Sequence, residues 1–483
     1  MLAAQPASIV LKSRAFTIVS ENRAMSLGLR TSTLDVEAIC VNDKPARGSF
    51  ATNFGFLMAA VGSAVGLGNI WKFPYIAGEY GGGAFVLVYL ACIALIGLPL
   101  MYAELMIGRR GGKGILGSMR KLARTGSRAP RVLSNLTGGL AVVAGFLILS
   151  FYAVVAGWAV HFLVISAGLL PGSVLGAEGT FDALAGNALI SSVWHSAFML
   201  MTIVVVVAGV HQGIEKLCKA LMPALVIMLI GLLFYVGYTG GLGQSLAFLF
   251  NPDFSKLTGE AVLEALGHAF FTLSLGMGAM VTYGSYLKSE KHIVRDGMVV
   301  AALDTLIALL AGTVIFAIVF AAGQPASGGP GLLFKTLPTL FAAMPGGAIV
   351  SSVFFLLVIF AAWSSAVSLL EVVVAYFIDE RNWSRRKATW VMGGLIWAMG
   401  LFSACSPQVL DNLDNLATRY LLPLGGLSIA IFAGWFVTRK DQESGFGGRF
   451  GQTFAATWRF VIRFVTPALV LIVILWKIGL IEI

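Results

Sequence analysis

AVGSAVGLGNIWKFP, residues 60–74, lies inside a strongly apolar run from Phe54 to about Tyr80. Within it stand three glycines (Gly62, Gly66, Gly68), Asn69, Lys72 and Pro74. Backbone that is not helical is tolerated in lipid only where protein or a water-filled cavity satisfies its amides and carbonyls. An interruption here frees carbonyls that suit a hard cation such as Na+, and a half-helix N-terminus attracts an anionic group. Gly62 and Gly66 also form Gly-x-x-x-Gly, an ordinary helix-packing pattern. The polar residues that follow at once, and a second interruption described below, favour a binding site over packing alone.

The whole chain is apolar. Of 483 residues, 58% are hydrophobic and only 12% charged, against about 25% charged in soluble domains. Eleven apolar runs read as membrane spans: 54–77, 83–108, 134–169, 187–209, 218–239, 261–286, 294–322, 347–378, 386–404, 409–437 and 455–480. The class is an all-α polytopic membrane protein whose partner is membrane lipid.

The net charge of +10 does not indicate nucleic acid, because Lys and Arg gather in alternate loops. The loop after span 2, residues 109–131, holds eight of them, and the loops after spans 4, 6, 8 and 10 are basic, as in DERNWSRRK. The opposite loops hold almost none, Lys256 and Lys335 being the exceptions. This pattern sets the N-terminus in the cytoplasm and, with an odd span count, the C-terminus outside the cytoplasmic membrane. Residues 1–45 lack the layout of a cleaved signal peptide and read as a cytoplasmic, disordered tail, with Met25 as an alternative start. Residues 46–438 form the core, and 439–483 a cytoplasmic loop with span 11. The four cysteines imply neither a metal site nor a disulfide framework. The five histidines form no catalytic or metal pattern, so an enzyme is not expected. No filter repeat or arginine series suggests a channel.

Gly66-Leu67-Gly68 in span 1 is echoed by Gly276-Met277-Gly278 in span 6. Five spans separate them, so the two helices cross the bilayer in opposite directions. Paired broken helices in two inverted halves point to a binding site at the midplane of a secondary transporter. Asp304 lies deep in span 7, and an intramembrane carboxylate is a functional candidate by default. Span 8 adds the adjacent hydroxyls of Ser364 and Ser365 in FAAWSSAVSLLE. Mid-span serines alone more often bond back to their own helix.

AVGLGNIWKFPY and GGGAF around span 1, FFTLSLGMGAM in span 6 and the paired serines of span 8 resemble the neurotransmitter:sodium symporters. The similarity is to their bacterial leucine-transporter-like, amino-acid-transporting branch, and it runs from about Arg47 to Trp435. It implies two inverted five-helix repeats, about 54–239 and 261–437, with helices 1 and 6 broken and two sodium ions beside one substrate. By this resemblance the first sodium takes the Ala64 carbonyl, Asn69, Thr272 and Asp304. The second takes the carbonyls of Gly62, Val65 and Ala361 with the hydroxyls of Ser364 and Ser365. All are oxygen donors, as a hard cation prefers. Substrate contact falls to Ala64, Val65, Gly66, Gly68, Ile148, Tyr152, Phe271, Thr272, Ser274, Met277, Ser365 and Leu369.

Gly66 stands where monoamine transporters of the family carry aspartate, leaving room for a substrate carboxylate and so implying an amino acid. The aliphatic and aromatic lining implies an apolar side chain, which such a pocket discriminates by only roughly 1–3 kcal/mol per methylene. Lys72 and Asp414 match the outer gate, with Tyr152 and Phe271 as a lid; Arg47 and Asp379, with Tyr286, match the inner one. The outer gate is usually arginine, and lysine lacks its bidentate fork. Asp304 replaces a frequent asparagine, and Ala308 stands where chloride-dependent relatives have serine, so chloride is not expected to be required, although Tyr89 matches one chloride-site residue. Glu104 resembles a family glutamate that contacts the span 6 interruption. His268 is expected to be a hydrogen-bonded packing residue near the vestibule.

The expected function is sodium-coupled uptake of an apolar L-amino acid by alternating access. A sensor on the same fold that binds an amino acid without transporting it is the alternative. Which amino acid, the ion stoichiometry, proton counter-transport and the oligomeric state are left open by the sequence.

Overall fold

The computed structural model describes residues 48–123, 128–170, 173–287, 293–326, 329–446, 448–477 and Leu480. The expected tail and Arg47 lie outside them. Among the described residues the only β pairing is an isolated bridge between Gly82 and Pro252; the regular structure is helical. In chain order the helices are α1 (Asn53–Ala64), α2 (Gly68–Glu79), α3 (Gly83–Gly111), α4 (Ile115–Leu122), α5 (Arg128–Ser166), α6 (Thr180–Gly186), α7 (Ala188–Val207), α8 (Val210–Thr239) and α9 (Leu242–Phe250). They continue with α10 (Gly259–Thr272), α11 (Ala279–Gly284), α12 (Ile293–Ala321), α13 (Thr336–Ala343), α14 (Gly347–Arg381), α15 (Arg385–Cys405), α16 (Pro407–Phe436), α17 (Arg439–Phe446) and α18 (Phe454–Trp476).

Nine of these are long and apolar enough to cross a membrane: α3, α5, α7, α8, α12, α14, α15, α16 and α18. α1 and α2 make a tenth as a pair bent by 46°. α10, of 14 residues, and α11, of 6, are each too short alone and flank a non-helical stretch at 273–278. α5 starts six residues before the apolar run at 134, because hydropathy marks where lipid begins and not where the helix does. The loops between the long helices carry the short helices α4, α6, α9 and α13.

Prolines shape these helices. A proline has no N–H to give and its ring presses on the carbonyl four residues back. Widened π-turns at Gly68–Lys72, Ile93–Gly97, Ala417–Leu421 and Val461–Val465 each end two residues before a proline: Pro74, Pro99, Pro423 and Pro467. The wider turn relieves that clash while the span continues. The core lies where α14 packs on α5 and α1, and α12 packs on α1 and α2. α11 packs on α3, and α10 packs on α3 and α16. Both interrupted helices therefore face packed protein.

Candidate functional site

α1 ends at Val65, whose ψ of 115° leaves the helical region. The amides released by this break go to side chains. Gly66 donates its N–H to Asn69 Oδ1 at 2.9 Å, and Leu67 donates to the Tyr152 hydroxyl at 3.1 Å. Ser63, one turn earlier, has its carbonyl met by the Ser274 hydroxyl at 2.6 Å, which ties the first broken helix to the second. Gly66 is required for space. A Cβ there would lie 2.7 Å from the Tyr152 hydroxyl and 3.2 Å from Ser365 Oγ.

The second break is built differently. Ser274, Gly276 and Gly278 have φ of 53°, 82° and 75°, in the left-handed region that glycine enters freely. The chain turns back on α10: Ser274 N–H bonds the Phe271 carbonyl at 3.2 Å and Leu275 N–H the Phe270 carbonyl at 3.0 Å. The Gly276 N–H is taken by Glu104 Oε1 at 2.8 Å, the contact expected of that glutamate.

Asp304 joins the two breaks. It is fully buried on α12. Asn69 Nδ2 donates to its Oδ1 at 2.8 Å and to its backbone carbonyl at 3.0 Å. Thr272, the last residue of α10, donates its hydroxyl to the same carboxylate at 3.0 and 3.1 Å. Among the described residues no lysine or arginine pairs with it. Three oxygen-bearing side chains thus converge around one buried carboxyl group, a donor set that fits a hard cation.

For the second expected ion site, Gly62 and Ser364 are neighbours: a Cβ on Gly62 would lie 3.0 Å from Ser364 Cβ. The Ser364 hydroxyl donates to the carbonyls of Phe360 and Ala361, each at 3.1 Å, so it bonds back to its own helix. Val65 and Ala361 are fully buried, and Ser365 and Ala64 nearly so.

The expected pocket lining is buried. Phe271, at 9% exposure, is the most open among Val65, Ile148, Tyr152, Phe271, Ser274, Met277, Ser365 and Leu369. Gly68 lies against it, since a Cβ there would sit 3.1 Å from Phe271 Cδ1. Tyr152, having accepted the Leu67 amide, keeps its own proton to donate.

Lys72 Nζ donates to both carboxylate oxygens of Asp414, at 2.7 and 2.6 Å, and stands 4.6 Å from the Phe271 ring centre. One lysine thus joins Asp414 to the Phe271 ring by charge and by cation–π contact. The pair borders a small polar cavity of about 70 Å³ that Glu264, His268 and Arg419 also line. His268 differs from expectation. It is 3% exposed between the Phe73 and Tyr89 rings, and neither ring nitrogen has a hydrogen-bond partner among the described residues.

At the opposite end, Asp379 accepts the Gly114 N–H at 2.6 Å, capping α4. The expected Arg47 lies outside the described residues. The Tyr286 hydroxyl donates to Glu371, a buried residue of α14 that also takes a bidentate ion pair from Arg385, at 2.7 and 2.8 Å. Glu215 was likewise missed. Its buried carboxylate accepts the Ala51 N–H at 2.8 Å, the Thr52 hydroxyl at 3.0 Å and Lys219 Nζ at 2.6 Å, and bonds His211 Nδ1 at 2.8 Å. It holds the segment leading into α1. Glu371 carries the same intramembrane-carboxylate signal as Asp304 and was legible on that ground.

The sodium:neurotransmitter symporter family model matches residues 47–173 and 189–482. An uncharacterized sodium-dependent transporter of Bacillus subtilis, YhdH, is 36% identical over 90% of this chain and 98% of its own length. The sodium-dependent dopamine transporter of Bos taurus is 24% identical over 96% of this chain and 74% of its own. The crystal structure of MhsT in complex with L-phenylalanine superimposes with a TM-score of 0.80 at 43% identity, covering 89% of this chain and 99% of that one. The broken helices, the buried oxygen cluster and these likenesses agree: the chain belongs to the sodium:neurotransmitter symporter family.

Proposed function

We propose that this sodium-dependent transporter takes up an apolar L-amino acid across the cytoplasmic membrane by alternating access. The observation that carries the reading is the Asn69–Thr272–Asp304 cluster, in which one carboxylate touches both broken helices. With the Ala64 carbonyl it supplies oxygen ligands for a first sodium. Gly62, Val65, Ala361, Ser364 and Ser365 supply those for a second. Ligands drawn from both broken helices make ion binding favour the arrangement in which the two are joined, so sodium prepares the amino-acid site.

The substrate class follows from Gly66, where a side chain would displace the Tyr152 hydroxyl. That hydroxyl has a proton to give to a carboxylate, and the surrounding Val65, Ile148, Phe271, Met277 and Leu369 suit an apolar side chain. The complex of MhsT with L-phenylalanine supports the same class. Lys72 and Asp414 then close the outer side over Phe271, and Arg47, Asp379 and Tyr286 the inner side. Counting α10 and α11 as one interrupted span gives eleven spans and the two inverted repeats, with the N-terminus in the cytoplasm and the C-terminus outside. Residues 46–438 are the transport core. No catalytic step is part of this reading.

Binding of labelled apolar amino acids to the purified protein in Na+ and then in K+ tests the proposal. Saturable binding in Na+ that K+ does not support is expected, and its absence across the panel would overturn the pocket assignment. Uptake into proteoliposomes under an inward sodium gradient separates the transporter from the sensor, which would bind without accumulating.

A further inference from the structure

α10 turns one face to the site and the other outward. The outward face forms one wall of a groove of about 330 Å³, whose other walls are α3 and α18. On α3 the lining runs from Val88 to Ile96, roughly 12 Å along the helix axis at 1.5 Å per residue. Ala91 on α3, Leu266 on α10 and Val473 on α18 all line it, and every lining side chain is apolar apart from the Cys92 thiol. A groove of this size and lining has the character of a small-molecule site but offers no polar group to orient a polar ligand.

Its neighbourhood identifies the occupant. Leu87, Leu90 and Leu95 on α3, Val262 on α10 and Leu471 on α18 are all exposed, between 36% and 48%. On membrane-spanning helices these residues form the lipid-facing belt, and the groove opens from it without a polar border. One end is marked by Gly259, the first residue of α10. Three residues before it lies exposed Lys256, packed so close to Gly81 that a Cβ there would stand 2.9 Å from its own. Lys256 is one of two lysines in loops otherwise nearly free of basic residues, and it lies at headgroup level in the topology proposed above. A cation there attracts an anionic headgroup.

We propose that this groove is a lipid site, which holds one acyl chain of an outer-leaflet phospholipid whose phosphate pairs with Lys256. The chain wedges between α18 and α10, the half-helix that carries Phe271 and Thr272. The site rests on the topology proposed above but on no assignment of substrate or ion, so it stands whether or not the protein transports an amino acid.

Native mass spectrometry of the full chain, released from bilayers of phosphatidylethanolamine and phosphatidylglycerol, tests it. One phospholipid should remain on the native protein. Retention should fall at least fivefold in Ala91→Trp, which fills the groove, and in part in Lys256→Ala. Val473→Phe, a smaller filling from the opposite wall, guards against a folding defect and should also lower it. Val204→Trp, at an exposed position on α7, should leave it unchanged. Equal retention in native, Ala91→Trp and Val473→Phe proteins overturns the proposal. So does equal loss in Val204→Trp, which would mean a general lipid annulus, or a dimer that Ala91→Trp dissociates, which would assign the groove to a second copy of this chain.

Discussion

The two broken helices carry the same Gly-x-Gly pattern for different physical reasons. In the first, neither Gly66 nor Gly68 has a positive φ. The break is held by side chains: Asn69 and Tyr152 take the loose amides, and glycine is needed at 66 because Tyr152 and Ser365 stand so close. In the second, the turn is written into the backbone. Gly276 sits at φ 82°, and a Cβ on it would meet the Leu422 carbonyl oxygen at 2.3 Å and the Gly426 nitrogen at 3.0 Å. The first break is a polar construction that can exchange its partners. The second is a fixed bend seated on α16.

That difference predicts opposite phenotypes for one kind of substitution. Gly276→Ala should give the largest effect, and on the fold. It combines a left-handed backbone position, costing about 1–3 kcal/mol, with a clash against main chain that has no rotamer to yield. A total loss of roughly 3 kcal/mol or more is expected, read as a fall in Tm and in the yield of monodisperse protein. A Gly276→Ala protein as stable as the native one would mean the second break is as adjustable as the first. Gly66→Ala should instead leave Tm nearly unchanged, since the atoms it meets are side-chain ends at Tyr152 and Ser365. It should weaken amino-acid binding in Na+ by roughly 100-fold, about 2.7 kcal/mol.

The sequence made the first break easier to read than the second. Asn69, Lys72 and Pro74 stand in one apolar run, and each is costly there. A carboxylate in mid-span, Asp304, announced itself in the same way. What stayed hidden depends on contacts distant in the chain. Glu215 holds Ala51 across 164 positions, and Ser274 reaches Ser63 across 211. No local pattern encodes such a partner. Ser364, expected as an ion ligand, donates its hydroxyl proton to carbonyls of its own helix, an arrangement open to any serine in a span that still leaves the oxygen's lone pairs to accept. The ends of α5 and α8 were also illegible, because hydropathy falls at the membrane border while helical hydrogen bonding continues beyond it.

Asp304 takes a hydrogen bond from a residue of each broken helix, and it sharpens the comparison further. Asp304→Asn preserves the shape and the acceptor facing Asn69 but removes the charge. The half-saturating sodium concentration for amino-acid binding should rise at least tenfold, about 1.4 kcal/mol, with a smaller change in Tm than Gly276→Ala produces. An unchanged sodium requirement would show that the carboxylate serves only to hold Asn69 and Thr272 in register.

The smallest expected effect is that of chloride, and it follows from the same carboxylate. A site that brings sodium into low dielectric gains from a fixed or a mobile anion nearby. In the proposed site the Asp304 carboxylate would be that fixed anion, hydrogen-bonded by one residue from each broken helix. A second anion close by would face a like charge in a buried region, where screening is weak. Tyr89 also lies in that region, packed against Phe73 and His268, but a hydroxyl supplies no positive charge to offset the repulsion. Replacing chloride by gluconate at constant sodium should therefore leave uptake into proteoliposomes unchanged. A sustained fall in the rate would mean that the charge on Asp304 is not the one the sodium site uses, and that the two breaks are joined there by hydrogen bonds alone.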